Sequence, residues 1–220
     1  MRVVRQENTG LSGARMAGVG ATSAPYVMPL DADDELGPGT LAALADALDA
    51  GADVAWGDVD LFEEVDLRLR TGRALDPWRI TYLNDVPGTS MVRREALLDA
   101  GGWSMGSGFE DWDLWMAFAE RGRRGVYVPG ALLRYRRRGG RMLGDMVDRH
   151  EQTYARLRGR HEPLFAARRR NWRRSRAPWR VKLLLPLVHR LPLRAFDRHR
   201  LTLFVNDPLQ ILALRRLRGA

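Results

Sequence analysis

The chain contains no cysteine among its 220 residues, which excludes disulfide bonds, thiolate metal ligands and cysteine nucleophiles. Lys182 is the single lysine, so arginine supplies nearly all of the positive charge. No apolar run approaches the roughly 20 residues of a membrane-spanning helix, and residues 1–5 lack the apolar core of a signal peptide. We therefore expect a cytoplasmic protein, which a composition without cysteine fits.

Charge divides the chain into two parts. Residues 1–145 carry 17 arginines against 22 carboxylates, whereas residues 146–220 carry 18 arginines and one lysine against 5 carboxylates. The two parts therefore have net charges of −5 and +14. Such an asymmetry predicts two regions with different surroundings, which we place at residues 1–140 and 141–220.

Residues 1–140 show the alternation of short strands and helices that is typical of an α/β sheet. The patterns predict helices over 11–21, 38–50, 94–100 and 110–121, and strands over 26–30, 52–56, 125–128 and 132–136. Residues 58–75 fit either a hairpin or a loop. Beyond residue 140 the strand patterns stop, and amphipathic helices are predicted near 144–158, 162–174, 178–190 and 205–217.

Three carboxylates, Asp31, Asp33 and Asp34, directly follow the apolar run 26–30. Carboxylates at the end of a buried strand suit a hard divalent cation, which takes oxygen ligands and often bridges to phosphate. The alternative is a solvated turn whose side chains cap the following helix. Taken alone, such a turn is more often the solvated one, so both interpretations stay open at this point. For a metal site, Asp33 is the first choice of ligand and Asp34 the second.

A second acidic cluster, residues 108–113, opens the helix predicted over 110–121. Asp111 lies at the edge of an apolar helix face, a position that suits proton abstraction. Neighbouring aromatic side chains would raise its pKa by desolvation, whereas the helix N-terminus would favour its anion. The alternative is that these carboxylates only complement the helix dipole, a role that we expect of Asp113.

Four short segments follow one another in a specific order. Residues 5–18 contain Asn-x-Gly followed by Ala-Arg, and residues 26–36 contain a strand followed by Asp-x-Asp-Asp. Residues 101–103 are Gly-Gly-Trp, and residues 108–115 are Gly-x-Glu-Asp-x-Asp-Leu-Trp. In this order the segments resemble those of family 2 glycosyltransferases with the GT-A fold. Met16 stands where the family usually has Asn.

The resemblance implies an enzyme that moves a sugar, with inversion, from a nucleotide-diphosphate donor to an acceptor hydroxyl. Asp111 would be the general base, and Asp33 and Asp34 would hold Mg²⁺ or Mn²⁺ at the donor diphosphate. The implied fold is an α/β, GT-A-like open sheet with helices on both faces, partial at its N-terminus, plus a helical C-terminal extension. Donor-binding roles are expected for Asn8, Arg15, Asp31, Thr89, Ser90 and Glu110.

Two of these donor-binding roles have structural alternatives of equal weight. Arg15 either pairs with donor phosphate or stabilises the acidic turn of residues 31–34. The small residues 88–90 either allow close approach of the backbone to a ligand or form an ordinary turn before a strand.

Members of the family normally begin with two strand–helix units ahead of the segment that starts this sequence. The resemblance therefore implies a partial domain without the nucleotide-base pocket, and we expect residues 1–220 alone to transfer sugar poorly. The alternative function is a non-catalytic remnant or a basic membrane-surface interaction module.

The basic tail has three interpretations. The first is that residues 146–220, with Trp172 and Trp179 beside arginines, bind an anionic membrane surface. This location suits a saccharide or lipid-linked acceptor. The second is a solvated helical extension packed on the catalytic domain. A nucleic-acid arm ranks last, because charge alone supports it. All four histidines lie in this tail, and we expect them at the surface.

Overall fold

The computed structural model of the protein describes residues 2–64, 66–106, 108–137 and 141–208, with the backbone alone for residues 141–150, 195 and 196. Within these residues six strands form one open sheet. The strands are β1 (Tyr26–Val27), β2 (Glu35–Leu36), β3 (Val54–Glu63), β4 (Leu67–Leu69), β5 (Met91–Arg93) and β6 (Gly125–Arg137).

Helices occur between the strands and make up most of the chain beyond residue 140. Those of the first region are α1 (Gly10–Gly20), α2 (Thr40–Asp49), the 3₁₀ helix Arg79–Thr81, α3 (Arg94–Asp99) and α4 (Glu110–Glu120). Those of the tail are α5 (Arg141–Arg160), α6 (Glu162–Ala166), α7 (Arg168–Arg174), α8 (Trp179–Val188) and α9 (Ala195–Asn206).

The sheet order is β1-β5-β3-β6-β2, with β4 paired to the second half of β3. β3 and β6 are parallel, and the other neighbours are antiparallel. A bulge interrupts the β3–β6 ladder between Trp56 and Asp58. Gly57 lies opposite the bulged residues 128–131 of β6, and a Cβ atom on it would lie 1.9 Å from the carbonyl oxygen of Ala131. Only glycine allows the two strands to approach this closely.

Helices cover both faces of the sheet, because successive side chains of a strand point to opposite sides. Val54 and Trp56 of β3 belong to the main core, together with side chains of α1, α3 and α4. Ala55, between them, packs with Leu44 and Leu48 of α2 on the other face. The predicted α/β class, an open sheet with helices on both faces, is therefore confirmed.

The tail helices pack on the sheet region. Leu157 of α5 and Leu164 of α6 share the main core with Trp112 of α4. Leu185 of α8 packs with Trp78 in a second cluster. The described helices beyond residue 140 thus form an extension that packs on the sheet region. None of the helices described here combines the length and the apolar character that crossing a membrane requires.

Some predicted strands differ from the observed ones. The strands predicted over 125–128 and 132–136 form one strand, β6, because the bulge opposite Gly57 absorbs the interruption at Pro129 and Gly130. The strand predicted over 52–56 continues to Glu63, since it pairs with β4 and β6 along that length. The predicted strand 26–30 is limited to Tyr26 and Val27.

The helix predictions are closer to the structure. The helix predicted over 110–121 corresponds to α4, and that over 11–21 corresponds to α1. The helix predicted over 205–217 overlaps only the end of α9, and its part from residue 209 onward lies outside the described residues.

Candidate active site

Helix α4 begins in a sharp turn that places three carboxylates in its first turn. Gly108 and Phe109 both have left-handed backbones, with φ of 92° and 71°. Positive φ is uncommon for a residue with a side chain and often occurs at functional sites. Glu110 Oε2 accepts the Gly108 N–H at 3.0 Å, which stabilises the turn. Burial of Trp112 fixes the helix against the core.

Asp111 lies, partly buried, at this helix start. Its Oδ2 accepts the Asn84 side-chain N–H at 3.0 Å, and its Oδ1 accepts the backbone N–H of Trp112 at 2.8 Å. Burial and the neighbouring Glu110 raise the pKa of Asp111 to about 6, against the opposing effects of the Trp112 N–H and Arg15. A carboxylate with this pKa is ionised at neutral pH yet is a stronger base than an ordinary aspartate.

The loop of residues 88–90 lies next to Asp111. A Cβ atom on Gly88 would lie 3.4 Å from Asp111 Oδ2, so the glycine keeps the space beside this carboxylate open. Thr89 is partly exposed. Ser90 is completely buried, and its hydroxyl donates to the Pro87 carbonyl at 2.7 Å. Gly88 therefore lies beside Asp111, whereas the buried Ser90 stabilises the loop through its bond to Pro87.

Arg15 of α1 joins the two acidic clusters. Its guanidinium lies 3.2 Å from Glu110 Oε1 and 3.7 Å from Asp31 Oδ1. It also lies 5.7 Å from the centre of the Trp103 ring. The Arg15 side chain is only 11% exposed, so its direction is set by packing. Arg15 thus links the acidic turn, residues 31–34, to the start of α4.

The carboxylates of the acidic turn differ in their bonding. Asp33 is exposed, and Arg136 Nε donates to its main-chain carbonyl at 2.8 Å. Asp34 Oδ1 accepts the Arg136 N–H at 3.0 Å, while Asp34 Oδ2 is buried and has no partner among the described residues. Burial, with the charges of Asp31 and Asp33, raises the pKa of Asp34 against the effect of the Arg136 N–H. Asp33 is therefore the most accessible carboxylate of this turn.

Asn8 lies at the other end of the region, before α1. It is exposed, and its side-chain oxygen accepts the Gly10 N–H at 3.0 Å. In this geometry Asn8 stabilises the start of α1, and its predicted contact with a donor stays a prediction.

The acidic turn fits a divalent cation that also binds phosphate. The described residues include no group of three or more carboxylate, histidine or cysteine side chains that could hold a metal. Mg²⁺ is usually bound by one or two carboxylates together with substrate phosphates and waters. The free carboxylate of Asp33 and the unpartnered Oδ2 of Asp34 meet that smaller requirement.

Two residues of this region were missed by sequence reasoning. Asn84 orients Asp111 from 27 residues away, and Arg136 ties the acidic turn to β6 from more than 100 residues away. The only available signal was an Asn-Asp pair shortly before the small-residue loop 88–90. No local pattern marks Arg136, because its contacts depend on the pairing of β2 with β6.

Asp113, on the same helix as Asp111, is part of a buried ionic cluster. Its carboxylate accepts Arg160 Nε at 2.7 Å and lies 3.0 Å from His161 Nε2. The other ring nitrogen of His161 lies 3.1 Å from Glu120 Oε2. The expectations that Asp113 serves only the helix dipole and that the histidines lie at the surface are therefore wrong for these two residues. We call Asp113, Arg160 and His161 the tail clasp, since it joins α4 to α5 and α6.

The tail clasp shifts the pKa values of its members. Burial alone would lower the pKa of His161, but its bonds to Asp113 and Glu120 outweigh that effect and raise it. Burial alone would raise the pKa of Asp113, but its bonds to His161 and Arg160 hold it below the usual value. The two carboxylates on either side of the ring thus favour the charged form of His161.

The free energy of unfolding should fall as the pH rises past the pKa of His161. A histidine whose pKa is raised by folding contributes fully below its unfolded pKa, roughly 6.5, and loses that contribution as pH rises through the folded value. Urea unfolding at a series of pH values would measure this slope. His161→Gln keeps a donor but does not titrate, so an unchanged slope in this variant would contradict the prediction.

Comparisons with known proteins found sequence relatives over about half of the chain. Residues 1–105 match the family model described as glycosyl transferase family 2. Uncharacterized glycosyltransferases of Mycobacterium bovis and of two Mycobacterium tuberculosis strains are 32% identical over 115 residues, which cover 49% of this chain and 53% of theirs. This chain thus spans about half the length of those relatives.

Among solved structures, the comparison found that of S. aureus TarS in complex with UDP-GlcNAc, whose backbone is partly similar. It is 14% identical in sequence, with a TM-score of 0.49, over 90% of this chain and 52% of that one.

The family match bears differently on the two acidic clusters. Asp33 and Asp34 lie within the matched residues, whereas Asp111 lies just beyond residue 105. The chain is thus similar to glycosyl transferase family 2 over residues 1–105, just under half of its length, and to the curated glycosyltransferases over 115 residues.

Proposed function

We propose that the protein transfers a sugar from a nucleotide-diphosphate donor to an acceptor hydroxyl with inversion, using Asp111 as the general base. One observation carries the proposal: a partly exposed carboxyl group with a pKa of about 6 lies on a helix that Arg15 joins to an acidic turn. A general base close to an acidic turn that can bind a divalent cation fits group transfer from a diphosphate.

The transfer proceeds as a single displacement. The acceptor oxygen forms a bond to the anomeric carbon while the bond from that carbon to the diphosphate oxygen breaks. The acceptor proton passes to Asp111, and the electron pair of the broken bond leaves with the nucleoside diphosphate. Asn84 fixes the orientation of the Asp111 carboxylate, and Gly88 leaves room beside it for the acceptor. One in-line displacement inverts the anomeric centre.

The donor diphosphate would lie at the acidic turn, with the metal held by Asp33 and by Asp34 Oδ2. Bound Mg²⁺ or Mn²⁺ supplies positive charge that neutralises the leaving diphosphate. Asp31 keeps Arg15 in place, and Arg15 adds a second positive charge near the phosphates. Thr89 and Glu110 would line the donor site from the side of α4.

The acceptor is proposed to be a saccharide or a lipid-linked saccharide of the cell envelope, reached from a peripheral position on the cytoplasmic membrane surface. The alternative function, a non-catalytic interaction module, predicts that the acidic turn binds no nucleoside diphosphate. Binding therefore separates the two functions.

Replacing Asp33 with Ala should weaken Mn²⁺-dependent binding of a nucleoside diphosphate by at least about tenfold, because an oxygen ligand of the cation is lost. Isothermal calorimetry with UDP and GDP, in Mn²⁺ and then in EDTA, measures the effect. Asp46→Ala is the matched control, since Asp46 is an exposed aspartate on α2.

The metal proposal is wrong if EDTA leaves the affinity unchanged, or if Asp33→Ala binds as well as the control. Absence of any binding by the parent chain, with its fold intact, would favour the non-catalytic module.

A further inference from the structure

Helix α8 carries apolar side chains on two opposite faces. Val181, Leu185 and Val188 form its inner face and are buried in the second core cluster. Leu183 and Leu187 lie on the other side and are 53% and 54% exposed. A helix that is apolar on both sides is normally enclosed by protein or membrane, yet among the residues that the structure describes the outer face of α8 stays largely exposed.

The outer face forms a continuous stripe. Trp179, Leu183 and Leu187 are spaced four residues apart, which places them along one side of the helix. Trp179 is 76% exposed, although it is the largest apolar side chain of the helix. Leu184 and Leu191 are also exposed, at 43% and 49%. A contiguous stripe of this kind marks an interaction surface.

Exposed arginines accompany the stripe. α7 lies against α8, since Trp172 donates from its indole to the Lys182 carbonyl at 3.2 Å. Arg173 and Arg174 of α7 and Arg176 of the connection to α8 are exposed, and among the described residues none of the three has a carboxylate partner. By contrast, Arg168 packs over Tyr82 and donates to Thr81, so it serves the fold. The unpaired arginines are free to contact anions.

We infer that the outer face of α8, formed by Trp179, Leu183 and Leu187, docks on a lipid bilayer that contains anionic headgroups, together with the exposed Arg173, Arg174 and Arg176 that precede it in the chain. The arginines would contact lipid phosphates, and the leucines would enter the boundary between headgroups and acyl chains. This inference concerns location and does not depend on the proposed glycosyl transfer.

Other partners fit this surface less well. A second copy of the chain would bring the same unpaired arginines together, and like charges at an interface oppose association. A nucleic acid would satisfy the arginines but leave the apolar stripe in water. A bilayer with anionic lipid has negatively charged headgroups for the arginines and an apolar interior for the stripe on α8, so it suits both parts of the surface.

The test is sedimentation of the full chain with vesicles of phosphatidylcholine, with and without phosphatidylglycerol. We expect binding to the anionic vesicles, with weakening at raised salt. Leu183→Glu combined with Leu187→Glu should weaken it by roughly a hundredfold, about tenfold for each leucine withdrawn from lipid. Arg173→Gln combined with Arg176→Gln should weaken it by roughly fivefold per arginine.

The matched control is Leu41→Glu combined with Leu98→Glu, since these leucines of α2 and α3 are 54% and 43% exposed. The control should bind like the parent, and circular dichroism should show that all variants are folded. Trp179 should gain protection from an aqueous quencher on binding, a change that Trp179→Phe removes.

Three results would overturn the inference. The first is equal binding to neutral and anionic vesicles. The second is the absence of vesicle binding, together with a concentration-dependent dimer that the α8 variants dissociate. The third is preferential binding of duplex DNA that the leucine variants leave unchanged.

Discussion

Replacement of Asp111 with Asn should lower turnover by roughly 10²–10⁴-fold, the usual contribution of a positioned general base. The amide has nearly the same size as the carboxylate but cannot accept the acceptor proton. Asn84 and the Trp112 N–H donate to different oxygens of Asp111, so the single amide oxygen of the variant can keep one of these two bonds. Donor affinity should therefore change little.

The measurement is release of nucleoside diphosphate at saturating donor, over a range of pH. Activity of the parent should rise through about pH 6, where Asp111 loses its proton, and this acidic limb should vanish in the variant. Asp46→Asn, on the exposed side of α2, is the control. Turnover within a few-fold of the parent would show that another residue is the base.

Replacement of Asp113 with Ala should lower the free energy of unfolding by about 3 kcal/mol. The Asp113 side chain is 4% exposed and pairs with Arg160 and His161, so its removal leaves the buried His161 ring beside Glu120 alone and Arg160 without its carboxylate. The expected cost is at the lower end for breaking a buried pair, because Arg160 is 39% exposed and can regain water.

Chemical unfolding monitored by tryptophan fluorescence measures this loss. Asp99→Ala is the control. Asp99 also forms ion pairs with two arginines, but its side chain is 54% exposed. Exposed pairs contribute at most about 1 kcal/mol. Equal losses in the two variants would mean that the tail clasp contributes no more than a surface ion pair.

The two predictions concern neighbouring residues of one helix with different tasks. Asp111 faces the candidate site, whereas Asp113 faces the tail and holds α5 and α6 against α4. The helix that carries the proposed base is thus fixed by the same segment that leads to the proposed membrane surface. Loss of the tail clasp should therefore reduce the precision of the site as well as stability.

Local patterns predicted the helix of the proposed base well. The apolar spacing within residues 110–121 is a property of a few consecutive side chains, and α4 forms over nearly the same residues. The acidic turn after an apolar run was likewise predicted, since strand ends and turns have short-range signals. Both features depend only on residues that lie close together in the sequence.

Strand lengths were harder to predict from the sequence. β3 continues to Glu63 because β4 and β6 supply hydrogen-bond partners along its second half. Residues 58–63 have weak alternation of their own, so only pairing decides where this strand ends.

By itself the sequence determined the alternation of strands and helices, the charge difference between the two regions and the identity of the acidic residues. Only the tertiary structure decided which of those carboxylates are free to act. Asp34 is bound to β6 through one of its two oxygens, Asp113 is buried by the tail, and Asp111 is partly exposed with Asn84 beside it. The physical reason is that the protonation and bonding of a carboxylate depend on its burial and on partners brought close by folding, many of them far away along the chain.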